Sequence, residues 1–321
     1  MRKLAGLLVS LVLLAIIWWQ VDLNAIAAAV RAADPWWLLA GLATVVPLTV
    51  VTAQRFRMLS ADPVSLGAAV RLILGASTLN LVLPSKLGDV AKGVVLTGRH
   101  GMDPKLAAAL VIMERSLDMA ALLFWGVLAM LWLGPRDPWL LLAAAGIAAL
   151  LALLVALLSP GRLAARTIKL LGRLAPGKVG RWIGGFADQW REAVGWLWAR
   201  PGRGSAVVAV SLAIWGGHLA QFWLFGQALG AVPFLDNMAF ATLAILAGLL
   251  PFTMAGIGTR DAAIVLLYSP YLSAGQAAVL GVLATGRYLL PALAGLPFMG
   301  DYLGKTRHPG GSRVLRSERD E

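Results

Sequence analysis

The stretch Leu79-Asn80-Leu81-Val82-Leu83-Pro84-Ser85-Lys86-Leu87-Gly88-Asp89-Val90-Ala91-Lys92-Gly93 breaks an apolar run near its middle with proline, glycine and charge. A second stretch, Leu249-Leu250-Pro251-Phe252-Thr253-Met254-Ala255-Gly256-Ile257-Gly258-Thr259-Arg260-Asp261, does the same. The surrounding runs, 67–98 and 237–268, are longer than one bilayer span of ~20 residues yet too short for two spans and a turn. Other apolar stretches occupy 4–20, 36–53, 107–133, 139–158, 206–229 and 274–299. Only 14% of the residues are charged, against about 25% in soluble domains. Mean hydropathy is +0.78. These features give an all-α, polytopic integral membrane protein.

Charge sets the expected topology. The segment 160–204 carries Arg162, Arg166, Lys169, Arg173, Lys178, Arg181, Arg191, Arg200 and Arg203 against Asp188 and Glu192. Basic loops stay cytoplasmic. So should the amino terminus (Arg2, Lys3), the 54–66 loop (Arg55, Arg57) and the tail (Lys305, Arg307, Arg313, Arg316, Arg319). If all the apolar stretches crossed once, 160–204 would fall outside. If the two broken stretches dip in and return, six full spans remain and every basic segment falls inside. The loops near 21–34, 134–138 and 230–236 then lie outside. The halves, about 1–135 and 138–303, each read span, span, re-entrant hairpin, span, from opposite faces. This is an inverted-topology repeat, with paired Gly/Pro-broken segments where transporters place their sites.

The remaining segments follow. Met1-Arg2-Lys3 and an apolar core lead into Trp18-Trp19-Gln20, an interfacial pair that suits a retained helix end better than a cleaved leader. In the cytoplasmic insert 160–204, Arg162, Arg166, Lys169 and Arg173 share one helical face. Trp182, Phe186, Trp190 and Leu197 then recur at helical spacing, so the insert is expected to lie on the membrane surface and attract anionic lipid. The tail 304–321 is polar and charged, and is expected to be disordered. The net charge of +12 reflects cytoplasmic loops, with no soluble basic domain to bind nucleic acid. Without cysteine there is no disulfide, thiol nucleophile or thiolate metal site.

Charge within a bilayer costs about 2.5–3.5 kcal/mol per group on insertion scales, so ionisable residues in spans mark candidate sites. Here they are Lys86, Asp89 and Lys92; Glu114, Arg115 and Asp118; Arg260 and Asp261; and Arg287. Glu114 and Asp118, four apart, share a helix face, whereas Arg115 points about 100° away. The two carboxylates are expected to pair with Lys86, Lys92 or Arg260. Lys86, Lys92, Arg115, Arg260 and Arg287 outnumber Asp89, Glu114, Asp118 and Asp261 by one, leaving one cation for an anionic ligand such as a phosphate headgroup. Gly256 and Gly258 would let backbone N–H groups approach it. Asn80, Thr253, His218 and Gln221 add polar groups, and Pro84 and Pro251 mark the breaks. His100, His218 and His308 are too scattered for a metal site or a Ser–His pair. No HExxH, GxSxG or Walker A motif occurs, and no cofactor is expected.

Over residues 1–303 the chain resembles the transmembrane region of lysylphosphatidylglycerol synthases, the flippase-like membrane domain of multiple peptide resistance factors. The resemblance rests on Asn80–Lys92 (NLVLPSKLGDVAK), on Glu114-Arg115-Ser116-Leu117-Asp118 and on Leu250–Asp261 (LPFTMAGIGTRD). Met254-Ala255 stands where the family usually has a glycine pair, Asp261 where it has Glu, and Lys92 where Arg is common. The resemblance implies translocation of an anionic lipid or lipid-linked headgroup across a bacterial inner membrane, with synthase chemistry belonging to a separate soluble domain. The alternatives are a scaffold subunit partnered by a lipid-synthesis or glycosyl-transfer enzyme, and a membrane-embedded polyprenyl-phosphate enzyme.

Overall fold

The computed structural model describes residues 23–60, 64–82, 87–100, 104–134, 137–160, 162–249 and 258–303. The expectations for the N-terminal stretch 4–20 and the tail 304–321 lie outside these. So do those for Pro84, Lys86, Pro251, Thr253 and Gly256. The described residues form helices only: α1 (Leu23–Ala32), α2 (Pro35–Ala43), α3 (Val45–Leu59), α4 (Leu66–Val82), α5 (Leu87–His100), α6 (Pro104–Leu133), α7 (Pro138–Leu158), α8 (Arg162–Leu174), α9 (Gly177–Trp198), α10 (Pro201–Leu229), α11 (Phe234–Gly248), α12 (Thr259–Leu267), α13 (Ala274–Gly286), α14 (Leu289–Gly295) and α15 (Gly300–Leu303).

Five segments among them are long and apolar enough to cross a bilayer: Pro35–Leu59, Leu106–Leu133, Pro138–Leu158, Gly202–Leu229 and Ala274–Phe298. The chain is therefore a multi-pass membrane protein. Two spans start alike. Asp34 and Asp137 each cap the following helix by accepting from the N–H two residues on, at 2.8 Å in both, with proline at the first helical position. Proline suits that position because its missing N–H has no helical partner there. Trp36 and Trp139, next in sequence, are 77% and 78% exposed, as interfacial tryptophans are.

The two broken runs fold as pairs of short helices. The apolar helices Leu66–Leu81 and Phe234–Gly248 fall short of span length. Helix α4 packs on α5, and α11 on α12. Each first helix also leans on the far part of the chain, α4 on α14 and α11 on α6. Gly88 closes the first pair. A Cβ there would collide with the Ala76 carbonyl and the Asn80 backbone, so only glycine lets α5 approach α4 this closely. Across the α4–α14 contact, Thr78 Oγ1 donates to the Ala292 carbonyl at 2.6 Å, an interhelical bond of the kind that ties membrane helices where lipid offers no competing water.

The insert 160–204 corrects one expectation. It forms α8 and α9, which pack on each other. On α8, Ala164 and Ile168 are buried, Leu163, Leu170 and Leu174 are exposed, and Arg166, Lys169 and Arg173 stand on a third face. On α9, however, Trp190 and Leu197 are buried in the protein core. Trp190 is buried and its Nε1 donates to Leu157 O at 2.9 Å, while Trp198 Nε1 donates to Leu158 O at 2.8 Å. The end of α7 leaves carbonyls without helical partners, and these indoles satisfy two of them. The side chains of Trp182 and Phe186 lie outside what is described.

Candidate functional site

Helices α3, α5 and α6 bring six charged side chains together. Lys92 is fully buried, with Nζ 2.6 Å from Glu114 Oε2 and 3.4 Å from Asp89 Oδ1. Its ammonium also faces the Phe56 ring, 5.4 Å from the centroid. Arg55 is 1% exposed and spans one turn of α6, with Nη1 2.5 Å from Asp118 and Nη2 3.5 Å from Glu114. Arg115 completes the set, at 3.3 Å from Asp89, 3.5 Å from Glu114 and 3.1 Å from Asp118. Three cations thus meet three carboxylates, and the network is neutral. Ions inside low-dielectric surroundings persist when paired and hydrogen-bonded in this way.

Three expectations change here. Arg55 is not a loop residue: α3 continues to Leu59 and carries it inside. Arg57 is the one that turns outward, donating to Val64 O at 2.8 Å and to Gln54 Oε1 at 2.9 Å. Arg115 does not turn away from its neighbours, because its long side chain folds back over the same face; it is also the least buried member, with a side chain 38% exposed. Glu114 pairs with Lys92 as expected, but Arg55 and Arg115 take the place expected for Arg260 beside Glu114 and Asp118. Apolar Phe56, Met58 and Leu59 after Arg55 were the signal that its helix continues.

Arg260 and Asp261 form a separate pair at the start of α12. Arg260 Nε and Nη2 donate to Asp261 Oδ1 at 3.1 and 2.7 Å, and Nη2 donates to Thr285 Oγ1 at 2.6 Å. Asp261 Oδ2 accepts from Gly258 N–H at 3.1 Å, so the carboxylate caps the helix that carries it. Gly258 has φ 103°, a left-handed conformation that a Cβ would strain. Asn80 sits across from Gly88, its buried Oδ1 without a hydrogen bond.

Arg287 stands apart. It is 4% exposed, at the break between α13 and α14 within the last span. Its Nη1 donates to Gln221 Oε1 at 3.0 Å and lies 3.4 Å from His218 Nδ1, and its Nη2 donates to the Tyr288 hydroxyl at 2.9 Å. Both ends of the charged set border α10: Arg55 Nη1 donates to Ser211 Oγ at 3.3 Å, and Arg287 meets His218 and Gln221. Ser211 and His218, seven residues apart, share a face and lie about 10 Å apart along the axis. Sequence reading placed His218 and Gln221 only among polar extras, and gave Ser211 and Thr285 no place. No spacing on one helix reveals which residue of another it meets.

The family model described as the lysylphosphatidylglycerol synthase TM region matches residues 3–295. The chain belongs to that family. The match takes in both broken stretches, the six-membered network, the Arg260–Asp261 pair and Arg287. No curated protein matches the chain. Among the described residues, no group of His, Cys, Asp and Glu is arranged to hold a metal ion.

Proposed function

We propose that this protein translocates an anionic phospholipid or lipid-linked headgroup across the bacterial inner membrane, with both termini cytoplasmic. Residues 1–303 act as one flippase-like domain. Its six full spans and two re-entrant hairpins form an inverted repeat. The observation that carries this reading is the buried polar track along α10, from the Arg55 contact at Ser211 to the Arg287 contact at His218 and Gln221, inside helices otherwise built for lipid. Ionisable groups inside spans mark substrate and ion paths. Family membership and the two paired short helices around the broken stretches support it.

In the mechanism, Lys86 and Arg260 come from hairpins that enter opposite faces. Each holds the phosphate on its own side while the acyl or prenyl chains stay in lipid. Arg260 is engaged by Asp261, so passing the guanidinium from that carboxylate to a phosphate is the step that admits the headgroup. Asn80, Pro84, Asp89, Lys92, Pro251, Thr253, Gly256 and Gly258 shape the two mouths. Glu114, Arg115 and Asp118 border the path between them.

The test is transport of a fluorescent anionic lipid in proteoliposomes, with melting temperature measured in parallel. Lys86→Gln and Arg260→Gln should each abolish transport in folded protein. Lys86→Arg should be milder than Arg260→Lys, since a flexible point charge is easier to replace than a planar fork. Wild-type rates in both neutral variants would reject the mechanism. A folded chain that moves no anionic lipid but co-purifies with a lipid-synthesis or glycosyl-transfer enzyme would be a scaffold instead.

A further inference from the structure

The buried charges can be balanced residue by residue. Arg55, Lys92 and Arg115 are matched by Asp89, Glu114 and Asp118, and Arg260 is matched by Asp261. Arg287 has no carboxylate partner among the described residues. Its contacts among the described residues are Gln221, His218 and Tyr288, with the rings of Phe222 and Tyr288 at 5.0 and 4.8 Å from the guanidinium carbon, and none of them is a carboxylate. A buried cation without a counter-ion is among the most costly groups a bilayer protein can carry.

Arg287 Nε is buried without a hydrogen-bond acceptor, and so is Trp215 Nε1, one turn from His218 on α10. The Trp215 and His218 rings stack edge to face at 5.8 Å. The Arg287 charge thus lies beside His218, on whose ring Trp215, itself with an unused N–H, packs. What complements them is a group with negative charge and several acceptor oxygens. The network around Lys92 also leaves Arg55 Nε and Arg115 Nε without acceptors, but its charges cancel, so the missing counter-charge is what sets Arg287 apart.

We propose that Arg287, with Trp215, His218 and Gln221 around it, is the seat for the negatively charged phosphate of a membrane lipid, placed at the break in the last span. This deepens the translocation reading and rests on it for the choice of a lipid over a free anion. Among the described residues Arg287 is the buried cation that no carboxylate answers, so it can hold the headgroup phosphate between the Lys86 and Arg260 positions.

Native mass spectrometry of the purified full-length chain tests this with phosphatidylglycerol, phosphatidylcholine and inorganic phosphate as probes. The wild-type protein should retain phosphatidylglycerol over phosphatidylcholine. Arg287→Gln should lose that preference by about tenfold or more, and Arg287→Lys should keep part of it, since a charge-assisted hydrogen bond is lost in one and weakened in the other. A purely structural tie between α10 and the last span would lower the melting temperature and leave the preference alone, and that result overturns the seat. Retention of inorganic phosphate through Arg287 without a lipid preference overturns the lipid assignment. Should Arg287→Gln not fold, Trp215→Phe removes the second unused donor and no charge. A severalfold loss of preference then supports the seat, and an unchanged preference rejects it. The two proposals fail separately. Wild-type flipping with full lipid preference in Arg287→Gln rejects the seat alone. A preference lost in that variant, from a wild-type protein that moves no lipid, rejects translocation alone.

Discussion

The network around Glu114 and the site around Arg287 are both buried, both charged and both bound to α10, yet in one the charges cancel and in the other they do not. Glu114 is held by Lys92, Arg55 and Arg115, and each of those cations has at least one further carboxylate in reach. Arg287 has an amide, an imidazole, a hydroxyl and two aromatic faces. The first arrangement fixes α3, α5 and α6 to one another. The second leaves a charge unanswered. Burial of a charge alone therefore does not identify a binding site in this molecule; whether the protein itself neutralises that charge does.

The sharpest way to break the contrast is to open the complete network. Glu114→Gln leaves three cations around a neutral amide. It should cost about 3–5 kcal/mol, the range for stranding a buried partner, read as a large fall in melting temperature in detergent. A smaller loss should follow from Asp118→Asn, because Asp118 is 15% exposed and water can reach what it leaves behind. A double replacement, Arg55→Met with Asp118→Leu, should recover more than half of the damage done by either single neutralisation, since a stranded charge costs more than a missing pair. Failure of the double variant to recover would mean that the pair is not what those residues contribute.

Arg287→Gln should lower stability by no more than about 1 kcal/mol, because no carboxylate loses its partner. A fall as large as that of Glu114→Gln would erase the distinction between the two regions. The smallest effect is expected from Gly195→Cys, on the exposed side of α9, where an added Cβ meets nothing within 4 Å. Stability should not change. With no native cysteine, an impermeant maleimide should fail to label this position from outside intact cells. Labelling from outside would put α9, and with it the Lys92 side of the track, on the other face of the membrane.

Much of this was legible in the chain before any coordinates. The spans follow from apolar length, and the two interruptions follow from Pro84 and Pro251 beside charge. Glu114 and Asp118 follow from a spacing of four, which puts them on one helix face. Arg55 was misread because a basic residue just past an apolar run has the same composition whether its helix ends or continues. Arg115 was misread because an angle around a helix axis says nothing about how far a long side chain reaches. On α9, Trp190 was read as a membrane-facing residue. The same amphipathic spacing serves a helix on lipid and a helix on a protein core, and only the carbonyls at the end of α7 settled which.

The sequence by itself determined the class of the molecule, the family to which it belongs and most of the ionisable groups that the fold buries, because each depends on local composition and on the cost of burying charge. It determined too that one of the cations it counted exceeds the carboxylates. Only the tertiary structure decided how the described cations pair, and among them Arg287 is the one without a carboxylate; Lys86, also in that count, lies outside the described residues. Pairing depends on distances of about 3 Å between side chains from helices far apart in sequence, and Arg55, absent from that count, entered the network through Asp118, 63 residues away. With Arg55 in place the carboxylates of α5 and α6 are spent on their neighbours, Asp261 is held by Arg260, and among the described residues Arg287 meets no carboxylate.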